Sequence, residues 1–212
     1  MSRSAKLASE LSLVYSDIIK RTELKMRQMS EIMGKAAFEK VFADIDSGQR
    51  TQTCTKLFQY LVTQAIVEIT EENNIPLKPV DETGHDWMYE GLPVEQKVKT
   101  MLVSFETYRK HNVKGYGVVN TSWTGNKASV GNQKKADTHL LLCFAINGSK
   151  IESSMATIIS LKATGSEWKT GSGNKDSYGT LTISNHTNGS HLIYGGFHQT
   201  PSSAYGLLEE VK

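Results

Sequence analysis

The sequence predicts an α+β fold in which N-terminal helices are followed by a central mixed β-sheet with long polar loops. Up to about residue 74 the apolar residues recur at helical spacing, and after it they fall into short strand-like runs. Between these runs lie segments rich in Gly, Asn, Ser and Lys, and the sequence has no internal repeat. We therefore expect a single domain over 1–212, with a helical part at 1–74 and a mixed-sheet part at 75–212.

Three helices are predicted in the first part. The first has an apolar stripe at four-three spacing, which consists of Leu7, Leu11, Val14, Ile18, Met26, Met29 and Met33. Gly34 ends this helix, "KAAFEKVFADI" forms the second, and the third runs from about Thr51 to Asn73. Methionines in such a stripe are typical of an adaptable core or of a dimer surface, and both interpretations stay open.

The strands are predicted from short apolar runs bounded by turn residues. Prolines make "IPLKPV" extended, and a turn near Glu90-Gly91 separates "DWMYEG" from "LPVEQKV". Four later runs are predicted as strands, namely "THLLLCFAI", "ESSMATIISL", "YGTLTIS" and "HLIYGGF". The segments "NTSWTGNKASVGNQKKAD" and "KATGSEWKTGSGNKDS" are predicted as long polar loops, which in compact domains are usually functional or disordered.

The composition excludes several classes of protein. No apolar run is long enough to span a bilayer, and charge interrupts the N-terminus too often for a secretory signal. Cys54 and Cys143 lie far apart and make no disulfide framework, so we expect reduced thiols and a cytoplasmic protein. A nucleotide hydrolase is not expected, because no Gly-rich phosphate loop with its Lys-Ser/Thr ending is present.

A basic segment stands out in a chain whose net charge is only +2. From Thr107 to Ala136 there are six Lys or Arg residues and no Asp or Glu, which suits a polyanion, although solvated loops also collect lysines. The candidate DNA-contacting residues in it are Ser122, Trp123, Thr124, Asn126, Lys127, Lys134 and Lys135. Hydroxyl, amide and ammonium groups can meet phosphates or base edges, while Trp123 can stack on bases or anchor the loop on the core.

Three charged residues, Asp86, Glu95 and Lys97, lie in two neighbouring strand candidates. Because residues i and i+2 of a strand point to the same face, Glu95 and Lys97 project together and the flanking valines project the other way. A tight hairpin would return Asp86, nine residues earlier, to the side of Glu95. Two carboxylates at close range repel each other unless a cation lies between them, which predicts a metal site. An exposed cross-strand Glu–Lys pair of little energetic value is the alternative.

The predicted metal is Mg²⁺, for which Mn²⁺ can substitute. Mg²⁺ is usually held by one or two carboxylates with water and substrate phosphate, and we expect Asp86, Glu95 and the main-chain carbonyl of Gln96 as its ligands. The metal lowers the pKa of a bound water, and Lys97 can orient that water and stabilise the transition state. Glu68, at the margin of the apolar arc of the third helix, is either an edge residue or a group aimed at the same site.

Asp86, followed by Glu95-Gln96-Lys97 on the next strand, resembles the signature of the PD-(D/E)xK nuclease superfamily. The size and layout of the chain resemble those of type II restriction endonucleases. The resemblance covers roughly Pro76 to Lys99 together with the order of helices before and strands after. It implies an α/β core of the restriction-endonuclease type, a divalent metal on Asp86 and Glu95, and a water-assisting role for Lys97. His85 stands before Asp86, where the family motif has proline in many members.

The expected function is therefore that of a Mg²⁺-dependent type II restriction-like endonuclease that hydrolyses phosphodiester bonds of double-stranded DNA at a specific site. A homodimer is expected, because cutting both strands of a symmetric site requires two active centres, and the N-terminal Leu/Met helix is the predicted dimer surface. Two alternatives stay open. One is a non-catalytic DNA-binding protein, and the other is a structure-specific repair or recombination nuclease of the same superfamily.

Overall fold

The computed structural model describes residues 1–43, 52–82, 85–101, 122–126, 136–164, 168–170, 178–182, 190–194 and 209–210. The helices are α1 (Arg3–Met33), α2 (Lys35–Ala43), α3 (Gln52–Glu72) and the short α4 (Leu161–Thr164). The strands are β1 (Leu77–Glu82), β2 (His85–Tyr89), β3 (Leu92–Met101), β4 (Ser122–Asn126), β5 (Thr138–Asn147), β6 (Lys150–Ser160), β7 (Trp168–Thr170), β8 (Tyr178–Thr182), β9 (Ser190–Tyr194) and β10 (Glu209–Glu210). Of the helices in these ranges, none has the length and apolar character needed to cross a membrane.

Seven strands form the main sheet, in the order β1-β2-β3-β5-β6-β10, with β9 also paired to β6. The central pair, β3 and β5, is parallel, while the neighbouring pairs are antiparallel. A parallel pair cannot be closed by a tight turn, so the chain must leave the sheet between β3 and β5 and return to it. The predicted α+β class with a mixed sheet is confirmed.

α1 and α3 pack against one face of the main sheet and form a single hydrophobic core with it. Phe58 of α3 meets Phe144 of β5 edge to face, with ring centroids 5.1 Å apart. Tyr15 of α1 packs on Tyr194 of β9 at 5.1 Å between centroids and forms a buried hydroxyl–hydroxyl hydrogen bond with Ser154 of β6. These contacts link residues far apart in sequence, so the helices and the sheet depend on each other for burial.

Most of the apolar stripe of α1 lies inside this core. Leu7, Leu11, Val14, Ile18 and Met26 are all buried by contacts within the chain. Because burying such side chains is the main favourable term in folding, these five residues stabilise the fold of the chain itself. Met33, at the end of the stripe, is 37% exposed, and Leu13, Leu24 and Ile32 of α1 are exposed as well, so a dimer surface on this helix stays a prediction.

Local signals account for the ends of the first helix and for the β2–β3 turn. The Ser2 hydroxyl accepts a hydrogen bond from the N–H of Ala5 at the start of α1. Gly34, at φ 80°, ends the helix in a conformation that residues with a Cβ rarely adopt. Glu90 and Gly91, at φ 47° and 77°, form the two-residue turn of positive φ that matches the twist of a tight hairpin.

Two segments that the sequence predicts as loops contain strands instead. β4 lies within "NTSWTGNKASVGNQKKAD" and β7 within "KATGSEWKTGSGNKDS", and both pair with β8 in a second sheet of order β4-β8-β7. Trp and Thr in these segments favour strands. The strands are only a few residues long and lie among Gly and Asn, which favour turns, so their period-two pattern is too short to be recognised in the sequence.

Candidate active site

The β2–β3 hairpin puts Asp86, Glu95 and Lys97 at positions on one face of the main sheet. Met88 of β2 pairs with Pro93 of β3, and paired residues share a face. Asp86 lies two residues before Met88, and Glu95 lies two residues after Pro93, so strand alternation keeps all of them on that face. This is the face opposite the one that α1 and α3 cover.

The Asp86 carboxylate is tied to the middle of β3. Its Oδ2 accepts a hydrogen bond from the main-chain N–H of Gln96 at 2.6 Å. In an extended strand the N–H and the C=O of one residue point to the same edge, so the Gln96 carbonyl also faces the edge where Asp86 lies. The Asp86 carboxylate of β2 and the Gln96 carbonyl of β3 therefore lie on the side of β3 that faces β2, next to the position of Glu95.

The side chain of Gln96 lies on the opposite face and anchors β3 to the helical layer. Its Oε1 accepts a hydrogen bond from Trp87 Nε1 at 3.1 Å, and its Nε2 donates to Thr63 Oγ1 at 2.9 Å. Gln96 and Trp87 are both buried, and buried polar groups that are fully hydrogen-bonded specify a single arrangement. This network joins β2, β3 and α3, and it holds the backbone of Gln96 in place beneath the candidate site.

Glu95 and Lys97 form an ion pair on the candidate-site face. The Glu95 side chain is only 8% exposed and that of Lys97 only 19%. A carboxylate this buried is costly unless an opposite charge accompanies it, and the Lys97 ammonium supplies that charge. The burial argues against the interpretation of the two residues as an exposed surface pair.

His139 was missed by the sequence reasoning and lies beside Glu95. The parallel ladder pairs Glu95 of β3 with His139 of β5, and His139 is fully buried. In the sequence this histidine is one polar residue within the apolar run "THLLLCFAI", which gives no hint of a role in a site. Only the pairing of β3 with β5 brings it to Glu95, and that pairing is not encoded in local spacing.

Glu68 is engaged by α1. Its Oε2 accepts from Arg21 Nη1 at 2.7 Å and its Oε1 from Lys25 Nζ at 2.5 Å. Thr63, which meets Gln96, lies five residues before Glu68 on α3, or about 140° away around the helix axis. The contacts that the structure gives Glu68 thus join α1 to α3 and do not bring it to Asp86, as expected for an edge residue.

The Glu68→Gln substitution is expected to remove an acid-sensitive part of the stability. Hydrogen bonds from Lys25 and then from Arg21 lower the pKa of Glu68 below its usual value. A group with a lowered folded-state pKa contributes stability above its unfolded pKa, and loses that contribution as the pH falls through the folded one. Because the side chain is 37% exposed, solvent screening limits the loss at pH 7 to less than about 1 kcal/mol.

Urea unfolding at neutral pH and near pH 3 checks this effect. The difference between the variant and the wild type should be largest at neutral pH and should shrink as the pH falls, because the contribution of Glu68 is lost as its carboxyl group becomes protonated. Glu71→Gln, at an exposed position of the same helix, is the matched control and should change stability little at either pH. An equal difference between Glu68→Gln and wild type at both pH values would contradict the assignment.

The predicted DNA-contacting residues fall partly within the second sheet. Ser122, Trp123, Thr124 and Asn126 lie on β4, whose Cα atoms come within 8 Å of those of β3. β4 therefore runs close to the strand that carries Glu95 and Lys97. The other three predicted residues, Lys127, Lys134 and Lys135, lie outside the residues that the structure describes.

The donors at the candidate site are two carboxylates and a main-chain carbonyl. Among the described residues, no group of three or more His, Cys, Asp or Glu side chains could hold a metal ion. What the arrangement offers chemically is two carboxylates on one face of the hairpin, one of them paired with a partly buried ammonium group. No protein-family model matches the chain, and no curated protein matches it either.

Proposed function

We propose that this protein is a Mg²⁺-dependent endonuclease of the type II restriction kind, which hydrolyses phosphodiester bonds of double-stranded DNA at a specific site. The observation that carries the proposal is the shared face of Asp86, Glu95 and Lys97 on the β2–β3 hairpin. Two acids and a lysine at these strand positions are what the PD-(D/E)xK signature requires, and a mixed sheet backed by helices is compatible with a restriction-endonuclease-like core.

The donor set fits Mg²⁺. Asp86, Glu95 and the Gln96 carbonyl supply hard oxygen ligands, and Mg²⁺ commonly takes one or two carboxylates and fills its remaining positions with water and phosphate oxygens. When bound, the metal would lower the pKa of a water ligand and neutralise negative charge on the scissile phosphate. Mn²⁺ prefers similar ligands and is expected to substitute for it.

Lys97 has two roles in the proposed mechanism. Without metal, its ammonium compensates the buried Glu95 carboxylate. With a cation held by Asp86 and Glu95, the Lys97 ammonium would orient the attacking water and stabilise charge on the phosphate. Hydrolysis then forms a bond from the water oxygen to phosphorus as the bond to the leaving oxygen breaks, and no covalent enzyme intermediate is required.

Cleavage of both strands of a symmetric site calls for two copies of the chain, so the proposal includes a homodimer on duplex DNA. The buried residues of the α1 stripe belong to the core, so a contact between subunits on this helix would use its exposed apolar residues, which are Leu13, Leu24, Ile32 and Met33. The candidate DNA-contacting residues on β4 belong to this proposal, because β4 approaches β3.

Incubation of the purified protein with supercoiled plasmid, with and without Mg²⁺, tests the proposed function. We expect discrete linear fragments that appear only with Mg²⁺ or Mn²⁺. Metal-dependent cleavage without discrete bands would point instead to a structure-specific nuclease. DNA that is retained in a gel-shift assay but stays uncut with either metal would point to a non-catalytic DNA-binding protein, and the endonuclease proposal would then be abandoned.

A further inference from the structure

Gln96 is a polar residue at an apolar position of β3. Its side chain lies on the face that α1 and α3 cover, with Val94 and Val98 two residues to either side and Leu140 beside it on β5. These neighbours belong to the hydrophobic core or pack against it, and Gln96 itself is 2% exposed. An apolar residue would fill this position without the cost of burying an amide, so packing alone does not account for a glutamine here.

Two consecutive residues of β2 hold Gln96 from opposite faces of the sheet. Because Asp86 and Trp87 are neighbours on one strand, their side chains point to opposite faces. The Asp86 carboxylate accepts from the main-chain N–H of Gln96 at 2.6 Å, and the Trp87 indole donates to the side-chain Oε1 of Gln96 at 3.1 Å. A shift of Gln96 relative to β2 therefore disturbs both hydrogen bonds, and one of them belongs to a proposed metal ligand.

Thr63 of α3 completes the hydrogen bonding of the Gln96 amide. An indole N–H can only donate, so Oε1 is the amide atom that faces Trp87, and Nε2 lies on the other side. Nε2 donates to Thr63 Oγ1 at 2.9 Å. With both ends of the amide engaged, the side chain has one arrangement. The hydroxyl of Thr63 thus links α3 to the strand residue whose main chain serves the candidate site.

We propose that Gln96 and Thr63 are positioning residues of the proposed metal site, which act through the Gln96 main chain and the Asp86 carboxylate. The side-chain hydrogen bonds hold the Gln96 backbone, whose N–H orients Asp86 and whose carbonyl is itself a proposed ligand. Groups that orient metal ligands by hydrogen bonding change metal affinity by roughly 10–100-fold when they are removed. This inference deepens the proposed function and rests on it.

Amide hydrogen exchange in the absence of metal tests the positioning step. Thr63→Val removes the acceptor of Gln96 Nε2 at similar size, and the Gln96 amide should then exchange about tenfold faster because its backbone is held less firmly. The amide of Leu142, in the middle of β5, is the internal reference. A general loss of stability would accelerate both amides by the same factor, which would contradict the proposal. Thr63→Ser keeps the oxygen and should restore the wild-type rate.

Binding of Mn²⁺ alone tests the effect on the metal, and the electron paramagnetic resonance signal of the free ion measures it without DNA or cleavage. We expect Thr63→Val to weaken Mn²⁺ binding by about tenfold. Gln96→Met, which keeps the length of the side chain but loses both of its hydrogen bonds, should weaken it at least as much. Thr63→Ser should bind Mn²⁺ as the wild type does, and thermal unfolding should show that each variant is folded.

Thr70→Val is the matched control. Thr70 is fully buried on the same helix, and its hydroxyl donates to the carbonyls of Ile66 and Val67 within α3. The substitution makes the same chemical change away from Gln96, so it should leave both the relative exchange of the Gln96 amide and the Mn²⁺ affinity unchanged. A loss of Mn²⁺ affinity equal to that of Thr63→Val would show a general loosening of α3 and would overturn the proposal.

The outcomes also distinguish this inference from the proposed function. Wild-type protein that binds Mn²⁺ and cuts DNA, together with Thr63→Val and Gln96→Met variants of unchanged Mn²⁺ affinity, would overturn the inference and leave the nuclease standing. Wild-type protein that binds Mn²⁺ but cuts no DNA, with both variants weakened, would support the positioning roles and remove the nuclease. A wild type without affinity for Mn²⁺ would overturn both.

Discussion

Replacement of Glu95 or Lys97 with alanine is expected to abolish plasmid cleavage, with a rate at least about 100-fold below that of the wild type, while DNA binding persists. Glu95→Ala removes one of the two proposed anionic ligands of the metal. Lys97→Ala removes the group proposed to orient water and to stabilise charge on the phosphate. Cleavage is measured from the loss of supercoiled plasmid in Mg²⁺, and binding is measured by anisotropy in Ca²⁺.

Three checks accompany this experiment. Lys97→Ala leaves the buried Glu95 carboxylate without its compensating charge, which destabilises proteins, so the unfolding temperature of each variant must be measured as well. Glu95→Gln keeps the size of the side chain and should be as inactive as Glu95→Ala. Lys78→Ala, at an exposed position of β1 in the same sheet, should cut normally. Undiminished cleavage by either folded alanine variant would exclude the proposed roles of Glu95 and Lys97.

Trp87→Ala is expected to cost about 3–5 kcal/mol of stability, the largest loss that we predict for a single substitution outside the candidate site. Trp87 is fully buried, and its indole is hydrogen-bonded to Gln96. Because folded domains are stable by only about 5–15 kcal/mol, such a loss brings the protein close to unfolding at ambient temperature. Equilibrium unfolding in urea measures it directly.

Trp87→Phe separates packing from hydrogen bonding. Phenylalanine fills much of the space but cannot donate to Gln96 Oε1, so we expect a loss of about 1–3 kcal/mol. Tyr60→Ala provides the matched aromatic control, because Tyr60 is 57% exposed on α3 and its removal should cost no more than about 0.5 kcal/mol. The proposed importance of the Trp87–Gln96–Thr63 network would be refuted by equal stabilities of Trp87→Ala and Tyr60→Ala.

The helices could be predicted from the sequence because their signals are local. The stripe from Leu7 to Met26, the stop at Gly34 and the extent of α3 all depend on residues within one or two turns of each other. β4 and β7 were predicted as loops because each is short and lies among Gly, Asn and Ser. Their strand conformation depends on pairing with β8, which lies far from β4 in sequence.

Only the part of the candidate site that depends on strand alternation and on the tight β2–β3 turn could be predicted from the sequence. The alternation of β3 and the turn at Glu90-Gly91 are enough to place Asp86 on the face of Glu95. The position of His139 and the network through Thr63 depend on how β5 and α3 dock, and that docking has no counterpart in local spacing. The contacts of Glu68 could not be predicted either, because they depend on how α1 packs on α3.

The contacts of α1 have a consequence for synthesis of the protein. Tyr15 finds its partner Ser154 139 residues later in the chain, and Glu23 accepts from the N–H of Ile151, 128 residues later. At typical translation rates the ribosome needs roughly 7–28 s to make the residues that separate Tyr15 from Ser154. α1 is therefore made well before β6, the strand that completes its covering, and part of its apolar stripe stays exposed during that interval.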